Sequence, residues 1–402
     1  MRMLLRVALL LIGLSAPVWA QDNPNTEDPD GPAVDSGPLG AKEHGKAGSG
    51  SWSVRIGYYD RDDSGGASGN PFVDESLSVI EPIVVYDKQV SDTFGYDIQF
   101  SFDKVSSASI ERLSAFDAQS GATGDTYFGL VAGFRHQLTD LTNLSWHLGA
   151  ATEYDYNSVG LGAGVSHSFI ERDAVLSFNL DTYFDQVTPI LFNGVEDKDE
   201  NRTSVAGTLS WYQVLTPRMH GEFGLTLSSQ SGYLETPINA VVVENPMDPP
   251  NPNLSNNARG TEFGEALPDS RTRLALFGKV RQRMGDRDAL EIGARLYDDD
   301  WGIAAFDLTP RYLHQFKSGL LMDLHYRFYT QGAADAWAES FTTLTEERTQ
   351  DPDLGDFDSN LIGTYLSWGG AHSDTWSIGL DFLSRSDGLD HWFLGLGWKR
   401  SF

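Results

Sequence analysis

Long segments in which apolar and polar residues alternate run through this chain to its last residue, and they narrow the possible folds more than any other feature. Phe94, Tyr96, Ile98, Phe100 and Phe102 alternate with Gly95, Asp97, Gln99 and Ser101. Leu144, Trp146, Leu148 and Ala150 stand against Ser145, His147, Gly149 and Ala151, and Met322, Leu324, Tyr326 and Phe328 against Asp323, His325, Arg327 and Tyr329. Trp376, Ile378, Leu380 and Phe382 repeat the pattern against Ser377, Gly379 and Asp381. Successive side chains of a strand face opposite sides of a sheet, so each segment predicts a strand with one apolar face and one small or charged face. A soluble sandwich or lipocalin-like barrel also alternates, with its apolar residues inward.

Three features favour strands that cross a membrane. The segments are about 10 to 13 residues long, which suits a tilted membrane strand better than the usual soluble one. The polar face carries full charges at Arg55, Asp97, Arg135, Glu153, Asp181, Lys279, Arg295 and Arg327. Aromatic residues gather near strand ends at Trp52, Tyr58, Trp146, Tyr156, Trp211 and Trp398, where a membrane girdle places them.

The connections alternate as well. Short turns are expected at Asp87–Thr93, Thr139–Asn143, Glu171–Ala174, Thr216–Arg218, Gly285–Asp288, Lys317–Gly319 and Ala371–Asp374. Those between them are mostly longer, as at Asp62–Ser76, Val105–Asp125, Gln186–Asn201, Ser231–Asp269 and Gln331–Asp358. Bacterial outer-membrane barrels have short periplasmic turns and longer extracellular loops, with an even number of strands. Counting segments gives a transmembrane antiparallel up-and-down β-barrel of about 16 strands, or about 14 if one pair beside the tight outer turns at Tyr156–Ser158 and Asp298–Gly302 is lost. The last strand puts Trp392, Leu394, Leu396, Trp398 and Phe402 on one face, and a final aromatic residue is similar to the signal read by the outer-membrane assembly machinery.

The first residues fit export. Arg2 and Arg6 supply basic charge, Leu4–Leu14 is apolar, and Val18-Trp19-Ala20 ends the layout of a cleaved signal peptide, residues 1–20, cut after Ala20. The apolar run is shorter than the ~20 residues a spanning helix needs. Residues 21–50, rich in Asp, Asn, Pro, Gly and Ser, predict a flexible periplasmic leader, and residues 51–402 the barrel. The chain has no cysteine, which excludes a lipid-anchored cysteine, a disulfide framework, a zinc–thiolate site and a cysteine nucleophile. A net charge of −28 argues against nucleic-acid partners. The expected surroundings are outer-membrane lipid and lipopolysaccharide, with the export and barrel-assembly machineries as partners; oligomeric state is not written in the sequence.

Several stretches resemble a family of exported bacterial proteins, domain of unknown function 3570. They are RLYDDDWGIAAFDLTPRYLHQF (Arg295–Phe316), YRFYTQGAADAW (Tyr326–Trp337), FDKVSSASIE (Phe102–Glu111) and SGYLETP (Ser231–Pro237). Ser-Ala-Ser-Ile in the third departs from the Gly-Ala-Ser-Pro-like run of the family and marks a divergent member. The resemblance implies an outer-membrane barrel without an assigned activity, and it supplies no catalytic residues.

Read from the residues themselves, Arg295, Tyr297, Asp307, Arg311, His325, Arg327 and Tyr329 all point inward on neighbouring strands. They form either a ladder that orients solutes or an ion-pair lattice that stiffens the wall, and opposite charges on adjacent strands favour the lattice. The acidic segments Glu196–Glu200, Asp298–Asp300 and Asp351–Asp358 lack the ligand spacing of a calcium loop and predict solvated loops. His136 and His167 fall on the outward face, His147 and His325 on the inward face, and none sits in a catalytic motif. No cofactor is expected. The long Ser231–Asp269 connection either folds inward and constricts a pore or folds outward as a cap. The leading functional expectation is a porin-like channel for small polar solutes or ions; the alternatives are a non-conducting scaffold that binds through its outer loops and an outer-membrane hydrolase.

Overall fold

The computed structural model describes residues 45–63, 77–108, 126–169, 173–189, 191, 195–236, 239–244, 260–369 and 374–402. The expected signal peptide and most of the expected leader lie outside the described residues. The alternating segments become strands β1 (Gly50–Asp63), β2 (Leu77–Ser91), β3 (Phe94–Ala108), β4 (Thr126–Thr139), β5 (Thr142–Glu153) and β6 (Tyr156–Phe169). β7 (Ala174–Val187), β8 (Glu200–Thr216) and β9 (Met219–Gly232) follow, then the short β10 (Ala240–Glu244) and β11 (Gly260–Gly264). β12 (Ser270–Arg283), β13 (Asp288–Asp299), β14 (Ala304–Gln315), β15 (Leu321–Gln331), β16 (Phe357–Trp368), β17 (Thr375–Arg385) and β18 (Leu389–Ser401) complete the order.

All but β10 and β11 form one closed antiparallel barrel of sixteen strands, with β9 beside β12 and β18 closing on β1. At the seam Gly50 and Phe402 exchange both backbone hydrogen bonds, at 2.8 and 2.9 Å. A Cβ on Gly50 would lie 2.9 Å from the Phe402 ring, so glycine there lets the final aromatic residue fold over the joint. Two prolines mark where the ladders are interrupted. The β2–β3 pairing skips Glu81 and Pro82, and the β14–β15 pairing skips Thr309 and Pro310, because proline has no N–H to give.

Both chain ends of the barrel lie at one rim, where β2–β3 and β4–β5 are joined within two residues. The opposite rim carries the long connections between β9 and β12 and between β15 and β16, together with tight turns at Tyr154–Asp155 and Asp300–Ile303. The first of these turns lies earlier than the Tyr156–Ser158 expected from sequence. Tyr156 and Ser158 are strand residues facing inward, where both hydroxyls donate to Asp185, at 2.9 and 2.7 Å. Tyr156 therefore does not belong to the outward girdle. In the second turn Gly302 has φ +90°, and its missing Cβ makes room for the Asp335 carboxylate.

Large apolar side chains face out. Ile56, Leu148, Leu276, Leu296 and Ile362 are all 45–65% exposed on the barrel exterior. Trp52, Trp146, Trp211, Trp368, Trp376 and Trp398 stand outward towards the rim that holds the termini. A compact apolar cluster lies elsewhere, at the loop rim, where Leu234, Leu267, Trp301, Ile303, Ala334 and Leu354 pack together.

Candidate functional site

The register that sends apolar residues out sends charged ones in, and on this inner wall they meet as ion pairs. Arg281 on β12 bonds Glu291 on β13 at 2.8 Å, and Glu291 faces Arg311 on β14 at 3.6 Å. Arg311 also binds Asp323 on β15, Asp323 lies 3.5 Å from His325, and His325 reaches Asp381 on β17 at 3.0 Å. The last link crosses β16 at Gly363, where a Cβ would collide with both the histidine and the carboxylate. Glycine at that position lets a chain of charges drawn from five strands span six, β12 to β17.

The other inward candidates join smaller groups. Arg135 clamps Asp87 with two bonds of 2.6 and 2.9 Å, takes Gln89 Oε1 at 3.1 Å and lies 3.8 Å from Asp97. Asp181 faces His147 at 3.4 Å across Gly162, and Lys279 faces Glu222 at 3.4 Å. Arg295 is the register partner of Asp307, whose carboxylate lies 3.5 Å from Arg327. Arg327 in turn stacks over Tyr329, 5.1 Å from its ring centre, and Tyr329 donates to Gln331 at 2.7 Å. Arg55 and Glu153 occupy inward register positions on β1 and β5. His136 and His167 face outward.

Sequence reasoning singled out one member of many of these pairs and missed its partner: Asp87, Glu222, Arg281, Glu291, Asp323 and Asp381 complete them. The available signal was phase. Asp87, Glu222, Arg281, Glu291 and Asp323 each lie an even number of residues from an inward candidate on their own strand or pair across the ladder with one, and Asp381 shares the polar phase of Ser377 and Gly379.

At the loop rim two connections fold onto each other. β10 and β11 pair as a hairpin, and Val243 bridges to Phe341. Val242 N donates to Gln350 Oε1 at 2.7 Å, and Thr349 donates to Glu265. Thr236 and Asn239 donate to Asp351 at 3.3 and 3.2 Å. The turn Pro352–Leu354 then reaches the inner wall. There Arg385 of β17 binds Asp353 and Asp387, donates to Pro352 O at 3.0 Å, and lies over the Phe357 ring. Gln331 holds the same turn through the Asp353 and Gly355 carbonyls, at 3.1 and 2.6 Å. The described residues of the Ser231–Asp269 connection thus join a cap whose other part, 349–354, reaches the inner wall at the mouth.

Asp351 and Asp299 are 2% and 8% exposed, so the expectation of solvated acidic loops fails at both: the cap's hydrogen bonds and the Arg385 contact draw the first segment in, and Arg271 with the amides of Trp301 and Ile303 holds the second. Burial and the nearby Asp351 push the Glu265 carboxyl up to about 8. Burial and Asp353 raise Asp351 to about 6. Burial works against the Asp353 anion too, but the Arg385 and Arg61 guanidiniums outweigh it and hold that carboxyl down at about 2. Among the described residues no three metal-ligating side chains converge in a group that could hold an ion.

A family model described as protein of unknown function (DUF3570) matches residues 124–391. The chain belongs to this family. Three of the stretches that resemble it lie inside the DUF3570 match, while Phe102–Glu111 precedes it. A bacterial polysaccharide outer membrane secretin is similar in structure, with 10% identity, a TM-score of 0.49, and coverage of 87% of this chain and 98% of that one. OpdK of Pseudomonas aeruginosa with vanillate gives 10% identity and a TM-score of 0.44, covering 89% of this chain and all of that one (100%). A BenF-like porin from Pseudomonas fluorescens Pf-5 gives 9% and 0.43, with 88% and 98% covered. Comparison with curated proteins finds no match.

Proposed function

We propose that this DUF3570 protein is seated in the outer membrane of a Gram-negative bacterium and acts there as a porin-like channel for small polar solutes or ions. The observation that carries the reading is the inversion of the wall: large apolar side chains face out around the barrel and ion pairs face in. Each outward Leu or Ile gains about 1.5–3 kcal/mol on leaving water, and soluble monomers do not leave so continuous an apolar surface wet. Lipid outside and water inside satisfy both faces. A barrel of about 16 strands has a wider lumen than side chains alone fill, whereas one of about 8 is packed shut.

In this reading the rim that holds the termini faces the periplasm, reached after a signal peptide is removed behind Ala20. The capped rim faces out, among lipopolysaccharide. The inward charges set a field that passing solutes cross, and the cap limits their size. The test is conductance of the refolded protein in a planar lipid bilayer. Stable, salt-dependent current steps are expected. Silence from protein shown to be folded, by heat-modifiable gel mobility and β-rich circular dichroism, overturns the open channel. The turn 352–354 lodged in the mouth favours the second reading in that event, a closed barrel that binds a partner through its cap.

A further inference from the structure

We propose that Arg202 and Arg273 form an oxyanion site beneath the cap, one that takes a small solute bearing a carboxylate or phosphate. The proposal names a solute class for the channel reading, but it rests on its own observations. Along the wall β12 presents four cations inward, Arg271, Arg273, Lys279 and Arg281, while Arg283, in the same phase, ends the strand on the Gly285 and Asp286 carbonyls. Three of them have a carboxylate: Arg271 binds Asp299, Lys279 faces Glu222 and Arg281 bonds Glu291. Arg273 stands out, because among the described residues no ion pair on β12 includes it.

Asp299 is its register partner and ought to serve. Its acceptors are already taken by Arg271, by the Tyr297 hydroxyl at 2.7 Å, and by the amides of Trp301 and Ile303 at 3.1 and 2.9 Å. Asp185 nearby is equally occupied. It accepts Arg202 Nε and Nη2, both at 2.7 Å, besides the Tyr156 and Ser158 hydroxyls.

Two donors remain without a partner among the described residues, Arg273 Nε and Arg202 Nη1. Both side chains are deeply enclosed, the residues being 7% and 3% exposed. Arg271 and Arg202 repel the Arg273 guanidinium, while Asp299 and Tyr297, both already engaged by other donors, attract it. Between them β9 places Ser228 and Gln230 on the same inward face.

An enclosed guanidinium that shares its nearest carboxylate with a second arginine is an unfavourable arrangement for a protein to keep. A bound oxyanion would supply the missing charge and accept from both orphan donors, and the planar fork of arginine suits carboxylate and phosphate alike. The site lies near the loop-rim ends of β8 and β12, below the residues that carry the cap, so a solute entering the mouth meets it early.

The test is titration calorimetry of the refolded protein in detergent at low salt, with sodium succinate in one arm and inorganic phosphate in the other. Saturable binding is expected in at least one arm, and which arm responds tells the two sources apart. Arg273→Gln is expected to weaken it about tenfold to a hundredfold, the worth of a hydrogen-bonded charge. Arg273→Met, which keeps the apolar stem, is made alongside so that a folded, uncharged variant is in hand. No saturable binding to folded wild-type protein in either arm, or unchanged affinity in a folded variant, overturns the site. Binding is read independently of current, so a silent bilayer with saturable binding rejects the channel and keeps the site, while conductance without binding does the reverse.

Discussion

Replacing Asp299 by Ala should be one of the costliest single changes in the barrel. The side chain of Asp299 is fully buried and that of its partner Arg271 only 4% exposed. The carboxylate receives Arg271, Tyr297 and the amides of Trp301 and Ile303, and so ties the wall of β12 and β13 to the Asp300–Ile303 turn. Stranding Arg271 without its counter-charge costs about 3–5 kcal/mol. The two freed amides add about 1 kcal/mol or more each where water does not replace the carboxylate. Asp299→Asn keeps an oxygen for the amides and loses only the charge, so it should fall between wild type and Asp299→Ala. Removing both partners, Asp299→Ala with Arg271→Met, should recover at least about 1.5 kcal/mol relative to the sum of the single changes, because no lone charge remains. Urea unfolding from lipid vesicles, followed by tryptophan fluorescence, measures all four proteins. A loss below about 1 kcal/mol for Asp299→Ala, or additive single changes, would refute the reasoning.

The cap should loosen as pH rises. Glu265 and Asp351 bind protons more tightly in the docked cap than in open solution, so docking is strongest below the ordinary carboxylate range and weakens as pH climbs through about 6 and on to about 8. Limited proteolysis within β10 and β11 should therefore run faster at pH 8.5 than at pH 5.5, with Glu265→Gln flattening the difference; equal protection at both values speaks against the latch. On the outer wall Leu276, 47% exposed among Leu225 and Leu296, should tolerate Met but lose about 2–4 kcal/mol on change to Arg, the cost of a charge at the membrane midplane. Urea unfolding from vesicles reads that cost, and a neutral result would place Leu276 away from lipid.

The barrel was legible because its rule is local. Period two over a segment such as Phe94–Phe102 fixes which side chains share a face, and the alternation of short and long connections fixes which ends share a rim. Finer placement was less accessible where a distant partner decides. Tyr156 reads as a girdle aromatic by composition, but Asp185, on the adjacent strand, draws its hydroxyl inward. Asp351 reads as a solvated acidic residue, but Thr236 and Asn239, more than a hundred positions away, hold it in the cap. Gly363 carries no charge and gives no functional signal in sequence, although it makes room for the His325–Asp381 contact. The surplus of Arg273 is visible only once the acceptors of Asp299 have been counted in three dimensions.

The central claim is that alternate residues of each barrel strand see lipid and water in turn. A chain without cysteine allows a direct measurement: single cysteines introduced one at a time along β15, from Met322 to Tyr329, in the vesicle-inserted protein. Each is probed with a water-soluble maleimide and with a lipid-confined fluorescence quencher. The account predicts that positions 322, 324, 326 and 328 respond to the quencher and positions 323, 325, 327 and 329 to the maleimide. Uniform labelling along the strand, or the opposite phase, would contradict it.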